Sequence, residues 1–93
     1  MDLANCTLAD FTPFVGQTFL LEGSVALVLR AGHPGRSRPG ARDGFSLLFV
    51  GPREPALPQR LYTLSHATLG ELLLFLVPIS EDANGRTYEA VFT

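Results

Sequence analysis

Ninety-three residues, 46% of them hydrophobic and 17% charged, suffice for one small folded domain spanning 1–93 and leave no length for a second. Nine acids against seven arginines and no lysine give a formal charge of -2, too balanced for a protein that recognises nucleic acid or a membrane surface through its net field. A single cysteine excludes an internal disulfide framework and a multi-cysteine zinc site, and two histidines add too few ligands for most other metal cages.

The amino terminus, MDLANCTLADF, opens on an acid and has neither a basic start nor a long apolar run, so no secretory signal is expected. The longest apolar run, residues 72–79, contains Pro78 and falls far short of the roughly 20 residues that span a bilayer. A soluble, cytoplasmic protein is expected, and the lone Cys6 suits a reducing compartment.

In chain order, Thr7 stands where a hydroxyl caps a helix and Asp10 where an acid meets the first free amides. Leu8, Phe11, Phe14 and Val15 share one face at helical spacing, while Pro13 and Gly16 limit the helix to about two turns. From Gln17 the period changes to two. Phe19 and Leu21 form one strand face, and Val25, Leu27 and Leu29 form one side of the next strand. Residues 31–43, AGHPGRSRPGARD, carry three glycines, two prolines and no large apolar side chain, the composition of a mobile loop.

Phe45, Leu47 and Phe49 lie on one face of a third strand that Gly51-Pro52 ends. A connection over 51–59 with Pro52, Pro55 and Pro58 is held extended. Strands over 61–65 and 72–77 are predicted to form a hairpin across 66–70. Pro78 should end the fifth strand. After a loop over 81–85 with the Asn84-Gly85 pair, residues 87–92 alternate as a closing strand. The expected fold is all-β: a small six-stranded antiparallel barrel or a compact sandwich with one short amino-terminal helix.

Several strands are apolar on both faces. Leu72, Leu74 and Leu76 oppose Leu73, Phe75 and Val77, and Leu48 and Val50 oppose the Phe45 face. One small core cannot absorb both sides, so self-association or docking on a protein partner is expected, with Leu48, Val50, Leu73 and Phe75 as contact residues. Arg36, Arg38 and Arg42 are the polar candidates. With Arg30 they gather four of the seven positive charges in or beside one loop, yet aromatic stacking residues are missing there, so no nucleic-acid partner is expected.

The segments FSLLFVGP from Phe45, LPQRLYTLSHATLGELLLFLVPI from Leu57, NGRTYEAVFT at the carboxy terminus and TLADFTPFVGQTF near the start resemble a family of uncharacterised bacterial domains of this length. The resemblance covers the chain except for the arginine-rich loop. It implies no activity, cofactor or functional residues, and it associates the chain with gene neighbourhoods of phage-tail collar-like proteins, hence with a tail-like or fibrous particle.

The remaining constellations point to ordinary roles. Ser65 and His66 are neighbours on a strand and face opposite ways, without a Gly-x-Ser-x-Gly elbow, so His66 is expected to be a turn residue that bonds local carbonyls. Glu81, Asp82, Asn84, Gly85 and Glu89 supply only part of a calcium loop and read as a hairpin turn. Cys6 has no basic neighbour to activate it and is expected to pack. Gln59, Arg60 and Tyr62 read as exposed surface. No catalytic residue, metal ligand or cofactor is expected. The predicted function is a non-enzymatic structural or protein-interaction module, a homo-oligomer or subunit of a bacterial or phage-tail-like assembly; a small-molecule-binding β-barrel is the second reading, and an enzyme of unknown class the third.

Overall fold

The computed structural model describes residues 3–35 and 44–92. Arg36, Arg38 and Arg42 lie outside the described residues. Six strands, β1 (Thr18–Leu21), β2 (Val25–Pro34), β3 (Phe45–Gly51), β4 (Arg60–His66), β5 (Gly70–Asp82) and β6 (Gly85–Phe92), close into an antiparallel barrel in the order β1-β2-β3-β6-β5-β4. The chain thus makes two three-stranded meanders, β1–β3 and β4–β6, joined edge to edge by the β3–β6 and β1–β4 pairings. Closure removes the open edges that a flat sheet of these strands would present. It is not regular: β5 pairs with β6 only from Val77 to Asp82, while its first half pairs with β4 alone.

The alternation seen in the sequence is the alternation of the barrel wall. Phe19, Leu21, Leu27, Leu29, Phe45, Leu47, Phe49, Leu64, Leu72, Leu74 and Leu76 all point inward and are buried, because a strand sends successive side chains to opposite faces. Tyr62 belongs to this set. Expected at the surface, it is only 1% exposed, since β4 turns Tyr62, Leu64 and His66 inward and Leu61, Thr63 and Ser65 outward.

One end of the barrel is sealed by the amino-terminal segment. The expected helix is two successive 3-10 turns, Leu8–Asp10 and Thr12–Phe14. Their bonds run from Phe11 N–H to Leu8 O (3.0 Å) and from Phe14 N–H to Phe11 O (2.9 Å). Pro13 has no N–H to give to the carbonyl four residues back, which favours the tighter winding. At the start of the segment the Asp10 carboxylate accepts the Thr7 N–H at 2.8 Å, so the acid rather than the expected hydroxyl supplies the main cap. Phe11 is fully buried against Phe45 and Phe92, whose rings stack 4.4 Å apart. In the tighter winding Val15 leaves the predicted apolar face and is 43% exposed. Cys6 packs into the core at this end, and its thiol donates to Leu3 O at 3.2 Å.

The proline-rich connection, residues 52–59, crosses the other end as a strap. Tyr62 Oη donates to Pro58 O at 2.5 Å, and Tyr88 Oη accepts the Leu57 N–H at 3.1 Å. Leu57 packs onto the core beneath them. Arg86 Nε donates to Arg53 O at 2.7 Å, and Glu81 sits between Arg86 (2.9 Å) and Arg53 (3.4 Å).

Two strands outrun their predicted limits. β2 continues through Pro34, taking four residues from the predicted loop over 31–43; the Pro34–Phe45 pair and a Gly35 N–H to Gly44 O bond of 2.7 Å hold its end to β3. β5 runs through Pro78, where it was predicted to stop. A register shift between Pro78 and Ser80 accommodates the missing N–H, as bulges do. The β5–β6 turn also differs from the expected Asn-Gly form. Asp82 Oδ1 accepts the Asn84 N–H at 2.8 Å, and positive φ (146°) falls on Gly85 but not on Asn84. Gly85 crosses directly over the Gly51 carbonyl, where a Cβ would collide with the backbone.

Candidate functional site

Among the described residues, His66 is the buried polar side chain of the interior. It ends β4 with its ring between Phe14 and Phe19, at centroid distances of 5.0 and 4.7 Å. Its Nδ1 accepts the backbone N–H groups of Thr68 (3.0 Å) and Leu69 (3.2 Å), whereas local carbonyls had been expected as its partners. With Nδ1 an acceptor, Nε2 carries the proton and donates to Gln17 Oε1 at 2.7 Å. Both ring nitrogens are thereby spent on holding the β4–β5 turn to the start of β1. Ser65 faces out and its Oγ lies 3.5 Å from Leu20 O, so the structure does not assemble a Ser–His pair.

The carboxylates of the calcium-like segment diverge. Glu81 is held by Arg53 and Arg86, Asp82 caps its own turn, and Glu89 stands on the outer face of β6 between Leu48 of β3 and Val77 of β5. Among the described residues, no three His, Cys, Asp or Glu side chains converge as a metal site would require. The axis of the barrel is occupied by buried leucine, phenylalanine and tyrosine side chains, so a ligand within it would have to displace core.

The surface is where the sequence has unspent apolar area. Leu61 and Phe75 are direct cross-strand partners on the outside of the β4–β5 hairpin, 51% and 47% exposed, and Leu73, next but one to Phe75 on the same side, is 56% exposed. Such pairs lie about 4.5–5.5 Å apart at Cβ, so the three side chains form one continuous patch. Thr63, Ser65 and Glu71 flank it. The patch exists because β4 and β5 spend one parity on the core and carry large apolar residues on the other.

Of the expected contact residues, Leu73 and Phe75 belong to this patch. Leu48 and Val50 lie elsewhere, half-buried on the outer side of β3, with β6 between the two pairs. Barrel curvature distributes the four over two faces. Leu61 joins the patch beyond the residues expected from the sequence. Its signal was present in the alternation Leu61-Tyr62-Thr63-Leu64, which becomes legible once Tyr62 is placed inside.

A family model, described as a domain of unknown function (DUF6916), matches residues 6–92. No curated protein matches the chain, and no solved structure does.

Proposed function

The chain belongs to this family of domains of unknown function, and from that premise we propose that it is a non-enzymatic protein-interaction module, a subunit of a larger assembly that it joins through the outer face of the β4–β5 hairpin. The observation that carries this reading is the Leu61–Phe75–Leu73 patch on a barrel whose interior is already filled. Three large apolar side chains, each about half exposed, represent at ~25 cal/mol per Å2 several kcal/mol of association drive once covered. The surface that complements it is a flat apolar sheet or helix face on another protein, with a cation at the edge that meets Glu71. The family resemblance in the sequence supports a tail-like or fibrous particle as the setting.

The test is binding of the purified partner, identified from the native host, to the wild type and to Leu73→Asp with Phe75→Asp. Affinity should fall at least about 100-fold in the variant while its circular dichroism stays that of the wild type. Equal affinity would sink the reading.

A further inference from the structure

A second face of the barrel carries charges that fit a copy of itself. On the outside of β2, β3 and β6, Val28 pairs with Val50, and Ala31 and Glu89 pair with Leu48 from either side. Arg30 is the extra residue at the register shift between Leu29 and Ala31, and the bulge leaves its side chain exposed. Arg30 and Glu89 therefore flank Leu48 at one level of the sheet, one on each neighbouring strand. Two strand spacings, about 10 Å, separate their backbones, with the Leu48 side chain between them. Among the described residues, ion pairs join Arg53, Arg60 and Arg86 to Glu22 and Glu81, and neither Arg30 nor Glu89 takes part.

We propose that a second copy of this chain docks on the β2–β3–β6 face, with Leu48 and Val50 of both copies at its centre and reciprocal Arg30–Glu89 ion pairs on its flanks. In a symmetric dimer a residue i that touches j is matched by j touching i, so the face must be complementary to itself. A two-fold axis that lies in the contact plane and runs parallel to β3 over Leu48 exchanges the β2 side for the β6 side. Glu89 of each copy then sits over Arg30 of the other, twice, with the apolar pair between them. The strands of the two sheets run aligned, as in sandwich packing. The same operation on the β4–β5 face brings no cation to Glu71, which is why the copy is assigned to β3 and not to the hairpin. Three strands of about 7 residues give a contact plane of roughly 14 by 23 Å, small enough that a micromolar rather than nanomolar dimer is expected.

This goes beyond the hairpin reading and uses different residues, so either can fail without the other. Sedimentation equilibrium from about 5 μM to 1 mM should show a monomer–dimer equilibrium. Arg30→Glu and Glu89→Arg should each weaken it by about tenfold or more, and the two together should restore it to within about threefold, because the swapped pair is again complementary. Leu48→Asp should abolish it, whereas Leu73→Asp with Phe75→Asp should leave it unchanged. A monomer at all concentrations would overturn the proposal, as would a dimer indifferent to both charge reversals, or single losses that the double variant does not repair. If Leu48→Asp does not fold, the charge swap decides alone, since Arg30 is exposed and Glu89 half-exposed.

Discussion

The hydroxyl of Tyr88, a residue buried inside β6, accepts the amide proton of Leu57 on the strap that crosses the barrel mouth. Together with Tyr62 and Pro58 it makes the proline-rich connection a structural part of the core. Proline supplies stiffness to that connection, and the two phenols supply its position.

Tyr62→Phe and Tyr88→Phe should each lower stability by ~1 kcal/mol, the usual net worth of such a bond, and together by more, because both hold one segment. Limited proteolysis within 52–59 should quicken in the same order. Urea denaturation and a cleavage time course measure both effects, and unaltered cleavage in the double variant would show that the strap is held by its prolines alone.

His66→Ala removes an acceptor shared by two backbone amides and a ring packed between two phenylalanines. A loss of ~2–3 kcal/mol is expected, combining an unmet donor with a cavity. Gln17→Ala should cost less, about 1 kcal/mol, since its partner can turn to water at the barrel rim. Partner binding should survive in any His66 variant that stays folded; its loss would call the non-enzymatic reading into question.

Gly85→Ala should destabilise by ~2 kcal/mol or more, because φ is positive there and the new Cβ would collide with the Gly51 carbonyl. Gly70→Ala shares the positive φ but meets open space, so it should cost only ~1 kcal/mol. The difference between the two combines the less accessible φ of Gly85 with its close approach to Gly51, and equal losses would show that neither adds to the cost of an ordinary positive φ.

Replacing residues 36–43 by Asn-Gly should leave the fold and nearly all of the stability in place, since Gly35 and Gly44 are already joined by a backbone bond at the end of β2 and β3. The melting temperature should move by no more than about 5 °C. A cooperative loss of folding would show that these residues pack as structure. Replacing Arg36, Arg38 and Arg42 by Ala should likewise leave melting unchanged and would weaken partner binding, more at low salt, if the loop makes a contact.

The sequence made the strands legible wherever one parity was apolar and the other mixed, as in Phe19–Leu21, Leu27–Leu29 and Phe45–Phe49. It was less informative where both parities were apolar or where tertiary bonds decided. Tyr62 looked exposed because the acceptor of its hydroxyl, Pro58 O, becomes a partner only once the strap has folded over it. Pro78 marked a strand end because the chain alone does not reveal the bulge that accommodates it. The exposed apolar patch of the β4–β5 hairpin was half legible. Leu73 and Phe75 followed from the double-sided strand, but the pairing of Phe75 with Leu61 needs the β4–β5 register, and the separation of Leu48 from both needs the barrel's closure.

The two seams that close the barrel are unequal in strength. β3 and β6 meet over seven residue pairs, whereas β1 and β4 meet at Leu20–Ser65 and Leu21–Leu64, reinforced where Glu22 donates its N–H to Thr63 O (2.8 Å) and accepts the Thr63 N–H on its carboxylate (3.2 Å). Both seams close long loops, 45 positions in the case of Leu20 and Ser65, so at β1–β4 a similar closure cost rests on fewer pairs. The barrel should therefore breathe at β1–β4. There it unrolls into a sheet with two raw edges, and the amide of Thr63 exchanges with solvent ahead of those on β3. Such an opened form is the species from which intermolecular strand pairing, and so aggregation, would begin.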